Sequence, residues 1–284
     1  MFDNIIGNIP IKEMLIKTVK QNTVSSSYLF IGMEGIGKKL IAIEFAKMLL
    51  CTNKEKYCDN CKSCIEFNSN NNPDFLYIEP EGNSIKIDQI RYLQKKIQEK
   101  PIISDKKVYI INDANLMTVE AQNCLLKTLE EPPEYATIIL IGNNENSFLA
   151  TIRSRCIILH FKALENIEIK RFLEEKYNLK DLSSNVLDTF QGSIGKALIL
   201  KDKQGDYQKI NDMIENFEGK DLLEIIKLAE PIYKSKDDIF EILDYINVML
   251  LKKAKINNLY ANCINIVEET KRRITRNSNY HFTL

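Results

Sequence analysis

Gly32-Met33-Glu34-Gly35-Ile36-Gly37-Lys38-Lys39 is the stretch that decides the reading of this chain. It follows G-x-x-x-x-G-K-[S/T], in which backbone N–H groups cradle phosphates, the Lys reaches the β/γ-phosphates and the final hydroxyl holds Mg²⁺. Gly32, Gly35, Gly37 and Lys38 are in place, but Lys39 stands where the hydroxyl belongs. An ammonium cannot ligate a cation. Pointed inward at ~5 Å from Mg²⁺, it would add a repulsion of about 6–7 kcal/mol at an effective dielectric near 20. The chain thus carries the frame of an ATP site without its metal seat, and ATP or ADP is a doubtful ligand.

The flanks support the loop. Ser26 to Ile31 is a short run of aromatic and β-branched residues that predicts a buried strand. Lys38 to Leu50 places Ile41, Phe45, Met48 and Leu49 at helical spacing. Strand, glycine loop and helix in that order aim a helix N-terminus at an anion. Further strands are predicted at 74–78, 106–111, 137–141 and 156–161. They alternate with helices at 88–98, 118–131 (stopped by Pro132-Pro133) and 148–155. This alternation predicts an α/β domain with a parallel sheet covered on both faces.

The strand at 106–111 runs into Asn112-Asp113. In a working P-loop ATPase these places hold Asp, for Mg²⁺, and Glu, for the attacking water. Asn112 is neutral and a weaker partner for a hard cation, and Asp113 is one methylene short. Asn143 follows the strand at 137–141, where its side chain could face a γ-phosphate.

Cys51, Cys58, Cys61 and Cys64 follow the loop helix as C-x6-C-x2-C-x2-C. Four thiolates so close can close a tetrahedron around Zn²⁺, a structural site with no open position. An iron–sulfur cluster is the rival, but Cys64 is followed by Ile65-Glu66-Phe67 and not by x3-C-P. Cys124, Cys156 and Cys263 lie apart in apolar patterns and read as core residues.

The 284 residues allow two or three domains. With 39 basic and 39 acidic side chains the net charge is zero, which argues against wholesale polyanion binding by the isolated chain. The start lacks a cationic region followed by an apolar stretch, and no apolar run approaches membrane-spanning length. The expectation is a soluble, non-secreted, cytoplasmic protein with no membrane contact and with reduced cysteines unless a metal holds them.

Phe2-x-x-Ile5-Ile6-Gly7, the glycine loop, the four-cysteine insertion, Leu125-Leu126-Lys127-Thr128-Leu129-Glu130-Glu131-Pro132-Pro133 and Ser154-Arg155-Cys156 together resemble the clamp-loader subunits of the AAA+ class. The resemblance covers about residues 1–200. It implies an AAA+ P-loop domain over 1–163 with a zinc insertion at 51–64, a small helical lid over 164–204, and an all-helical collar domain over 205–284, possibly without its final helix. It implies partners in a five-subunit ring, gamma/tau ATPase subunits and a delta subunit, acting through the complex on a sliding clamp and primed DNA.

Motor subunits of that family carry Ser or Thr at 39, Asp at 112, Glu at 113, and an Arg in a lid pattern G-S-x-R. Here Gly192-Ser193-Ile194-Gly195-Lys196 has Gly at the Arg position and Lys196 one residue late. Ser154-Arg155-Cys156 is intact. This combination is similar to the delta-prime type of DNA polymerase III clamp-loader subunit. The resemblance implies little or no ATPase activity of its own and an arginine finger, Arg155, supplied in trans to a neighbour. Gly32, Gly35, Gly37, Lys38, Lys39, Asn112, Asp113, Asn143 and Lys196 would then form a degenerate nucleotide site. An active gamma/tau-type ATPase is the alternative. A zinc-bearing nucleic-acid module is a third reading, opposed by net neutrality and by the few aromatics near the cluster's basic residues. From Asn166 onward helices are expected at 166–177, 183–190, 207–217, 221–228 and 237–252, with breaks at Gly192 and Gly195.

Overall fold

A computed structural model describes residues 2, 4–53, 57–177, 184–202, 239–255 and 257–275, with positions 210, 213, 214, 221 and 224. It divides into two compact units, Met1–Leu164 and Glu165–Leu284. The helices expected at 207–217 and 221–228 lie, apart from single positions, outside the described residues.

The first unit runs α1 (Ile9–Lys20), β1 (Ser27–Ile31), α2 (Lys38–Leu50), α3 (Lys62–Asn68), β2 (Phe75–Ile78), α4 (Ile87–Gln98), β3 (Lys107–Ile111), α5 (Val119–Glu130), β4 (Ala136–Gly142), α6 (Ala150–Arg153) and β5 (Ile157–His160). All five strands are parallel, in the order β2-β3-β4-β1-β5. The parallel sheet predicted from the alternation is therefore present.

The three central strands are apolar on both faces, as a doubly covered sheet requires. Leu29, Ile31, Tyr109, Ile111, Ile138 and Leu140 pack with Ile90, Leu93 and Ile97 of α4, Leu125 and Leu129 of α5, and Ile152 of α6. Their alternates Tyr28, Phe30, Val108, Ile110, Ile139 and Ile141 pack with Leu15 of α1, Ile41, Phe45 and Met48 of α2, and Phe67 of α3. Alternation with period two sends each strand's side chains into both layers. Each fully buried large apolar side chain contributes about 1.5–3 kcal/mol. The edge strand β5 keeps Ile157 and His160 exposed.

Local signals set several boundaries. Thr118 caps α5 by accepting from the Ala121 N–H at 3.3 Å. That helix ends at Glu130, ahead of the two prolines. The buried carboxylate of Asp74 accepts from the backbone N–H groups of Ile102 and Ile103, both at 2.7 Å, and of Ser104 at 2.9 Å. It thereby ties the loop after α4 to the start of β2.

The second unit contains α7 (Asn166–Tyr177), α8 (Ser184–Thr189), α9 (Ile194–Asp202), α10 (Ile239–Ala254) and α11 (Leu259–Thr275). The stripe Ile239, Leu243, Ile246 and Leu250 on α10 is buried, so it serves this unit's own core. Asp244 on α10 accepts from Lys271 of α11 at 2.6 Å and from Lys196 of α9 at 3.3 Å. The expected break at Gly195 is corrected: only Gly192 has a left-handed backbone, φ 81°, while Gly195 lies inside the first turn of α9. A glycine in a first turn costs a helix little, so its presence did not end one.

Candidate nucleotide loop, metal cluster and arginine edge

The glycine loop joins the carboxyl end of β1 to the N-terminus of α2. Gly37 caps that helix at φ 92°, a conformation a side chain would strain. Gly32 is needed for space: a Cβ there would stand 2.8 Å from the Phe161 carbonyl oxygen. Ile31 pairs with both Gly142 and His160, so the loop emerges between β4 and β5.

Lys38 is buried and fully engaged by its own chain. Its ammonium donates to the Gly32 carbonyl, to the Met33 carbonyl at 2.6 Å and to Asn143 Oδ1 at 3.0 Å. Asn143 in turn donates its backbone N–H to Asn115 Oδ1 at 3.2 Å. The sequence-predicted residues Lys38 and Asn143 thus meet across 105 positions. Burial pushes the Lys38 amine down to about 8, against the opposing pull of Asp113 and Glu34.

This shift has a sign that can be measured. Between pH 8 and its ordinary value of 10.5 the unfolded chain keeps a proton on Lys38 that the folded chain has lost. Stability supplied by this group therefore rises with pH through that window, and below pH 8 the penalty is constant. Relative to a Lys38→Met variant, the unmodified chain should gain about 3 kcal/mol in urea denaturation across the window. A flat difference would show that Lys38 ionises normally.

Lys39 reaches another part of the sheet. Its ammonium lies over the Tyr77 ring of β2, 4.8 Å from the centroid. The Tyr77 phenol, then Glu79 and Asp113, hold it above the usual lysine value although burial opposes this. Asn112 Nδ2 donates to Asp113 Oδ2 at 2.8 Å. The two residues at the metal-side positions just after β3 are thus bonded to each other. Tyr77 and Glu79 were not foreseen: nothing in a strand's composition says which charge will lie over it. Lys196 belongs to the second unit, where it pairs with Asp244.

The four cysteines come together. Their sulfur atoms all lie within 4.8 Å of one another, with Cys51 Sγ 3.6 Å from Cys58 Sγ and 3.9 Å from Cys61 Sγ. Four sulfurs bound at about 2.3 Å in a tetrahedron stand about 3.8 Å apart, so these spacings suit an ion at the centre. None of the cysteines is in a disulfide. The Cys61 N–H donates to Cys58 Sγ at 3.4 Å. Burial raises the Cys61 thiol, but hydrogen bonds involving Thr52 and Cys64 outweigh it and bring it to about 6.

The cluster is tethered to the loop helix. Lys47 of α2 pairs with Asp59 and lies 5.2 Å from the Tyr57 ring centroid, and Tyr57 Oη donates to Asp59 at 3.1 Å. A buried lysine in an amphipathic helix gives no sequence signal of this role. By contrast Cys124 and Cys156 pack against the sheet's core, and burial pushes the Cys156 thiol up to about 12.

Arg155 lies just after α6. Its Nη1 donates to the Thr151 carbonyl at 2.9 Å and to Ser154 Oγ at 3.3 Å, and its Nη2 pairs with Glu130 Oε1 at 2.7 Å. About a third of the side chain is exposed. Glu130 lies inside the Leu125–Pro133 stretch, but only the fold places it against Arg155.

A parallel sheet of this order, with a glycine loop leading into α2, defines a P-loop nucleotide-binding fold of the AAA+ class. Residues 7–165, more than half of the chain, match the family described as DNA polymerase III, delta subunit, and the chain belongs to that family. Among its relatives, the DNA polymerase III subunit tau/gamma of Haemophilus influenzae is 33% identical over 77% of this chain and 33% of its own length. The DNA polymerase III subunit delta' of Bacillus subtilis is 31% identical over 81% of this chain and 66% of its own. The chain thus spans about a third of the tau/gamma relative and about two-thirds of the delta' relative. A DNA polymerase III gamma subunit-related protein of Thermotoga maritima shares the fold, with a TM-score of 0.53 and 20% identity over 95% of each chain. Among the described residues no helix is long and apolar enough to cross a membrane.

Proposed function

We propose that this chain is a non-motor, delta-prime-type subunit of the bacterial DNA polymerase III clamp loader. In this reading it assembles with gamma/tau ATPase subunits and a delta subunit, helps to place the sliding clamp on primed DNA, and presents Arg155 to a neighbour's ATP. Residues 164–204 serve as the lid and 205–284 as the collar that joins the ring. Cys51, Cys58, Cys61 and Cys64 hold a structural Zn²⁺ as thiolates, with no open position for catalysis.

One observation carries the choice of subunit: the metal side of the loop is satisfied by the chain's own groups. Lys39 brings a positive charge among Tyr77, Glu79 and Asp113, and Asn112 occupies Asp113. A divalent ion entering there would have to displace or oppose an ammonium. The glycine-loop amides remain, so the frame keeps anion-facing donors, which Lys38 would join only by leaving its own carbonyl partners.

The gamma/tau-type reading keeps one support, identity to the tau/gamma relatives, which matches that to the delta' relative. The two readings differ in turnover. The purified chain should hydrolyse ATP with Mg²⁺ at background rate and stimulate hydrolysis only after reconstitution with motor subunits. Robust hydrolysis by the chain alone, abolished in Lys38→Ala, would make it a motor.

A further inference from the structure

Arg155 is not free to act where it stands. Both terminal nitrogens already have partners, Nη1 the Thr151 carbonyl near the start of α6 and Nη2 the Glu130 carboxylate at the end of α5. Glu130 is half exposed, and its pairing with Arg155 is a 2.7 Å contact. A phosphate that takes the Nη2 donor has to displace this carboxylate, since both seek the same donor and like charges repel. We infer that Glu130 parks Arg155: it competes with the neighbour's phosphate for the guanidinium and keeps the finger folded against its own subunit until the interface closes. The inference rests on the trans role proposed above for Arg155.

The pair is suited to a releasable restraint. Both side chains are partly in water, where such pairs are weak and easily exchanged for a better anion. The Thr151 bond does not hold the arginine by itself, because a neutral carbonyl is a poorer partner for a guanidinium than a phosphate. Glu130 is thus a positioning residue that touches no substrate. Its effect should fall on the state before clamp and DNA arrive, when the interface is open.

The test uses the reconstituted complex with this subunit carrying Glu130→Gln, Glu130→Asp, Arg155→Ala or the Glu130→Gln/Arg155→Ala pair. ATPase is measured with and without clamp and primed DNA. Glu130→Gln should raise the unstimulated rate about two- to fivefold, the factor an exposed ion pair can supply, and change the stimulated rate less. Glu130→Asp should return the unstimulated rate towards that of the unmodified complex. The paired variant should match Arg155→Ala alone, since Glu130 acts through the arginine. In the isolated chain, Arg155 should react several-fold faster with phenylglyoxal after Glu130→Gln. An unchanged unstimulated rate in Glu130→Gln, or a rise that persists without Arg155, overturns the parking role while leaving the finger intact. A rate that falls in Glu130→Gln as it does in Arg155→Ala also overturns it, because Glu130 would then hold the productive pose. If Arg155→Ala itself changes nothing, the trans reading fails and the parking role fails with it.

Discussion

Replacing Arg155 with alanine should leave the chain folded, metal-bound and assembled, yet slow clamp loading by the reconstituted complex at least about tenfold. Folding is spared because the side chain is partly exposed and its pair with Glu130 is of a kind that contributes about 0–1 kcal/mol. Function is not spared, because a guanidinium aimed at developing phosphate charge contributes about 10³–10⁵ in rate where GTPases have been measured. The ring dilutes this. If its sites fire independently, total ATP turnover loses only the share of the site that Arg155 serves. Loading that needs every site loses far more, so turnover and loading should be measured together. Arg155→Lys should rescue little, since a point charge on a flexible stem does not reproduce a planar fork. Loading at the unmodified rate by an assembled Arg155→Ala complex would reduce the subunit to a scaffold.

Loss of the metal should have the second large effect, and a local one. Elemental analysis should find one zinc per chain; iron, or no metal, would remove the proposed site. Structural zinc bound to short peptides carries an apparent binding free energy of about 10–16 kcal/mol near pH 7. Deleting one of four thiolates in Cys61→Ala should therefore abolish tight binding and loosen the segment from Cys51 through α3. Phe67 and Phe75, with rings 4.6 Å apart, connect that segment to the sheet and should register the loss first. The central strands draw their stability from the two apolar layers and should survive. A far-UV spectrum little changed, with faster proteolysis near residues 51–68, is the expected pair of results. Metal binding also releases protons from the thiols, so affinity should fall as pH is lowered.

The fold of the first unit was legible because its signals are local. A glycine loop between an apolar strand and an amphipathic helix needs no distant information, and two prolines stop α5 wherever the chain goes next. The second unit was less legible. Its stripe on α10 shows which face is apolar, but glycine at 195 looked like a break and proved to lie within a helix. Helices α1, α3, α9 and α11 go beyond the elements expected from the sequence.

By itself the sequence determined which chemistry is present: a phosphate loop lacking its hydroxyl, an Asn-Asp pair in place of Asp-Glu, four thiols within fourteen positions and one arginine in a specific tripeptide. Spacing over so few residues is set by backbone geometry and holds in almost any surroundings. Only tertiary structure decided how those groups are spent. Lys38 is turned to Asn143, 105 positions away, Lys39 to Tyr77 on β2, and Arg155 to Glu130. Those partners are chosen by strand order and by which helix end lies beside which strand. A charged side chain near the surface then takes whatever counter-charge, carbonyl or ring the packing has left within reach.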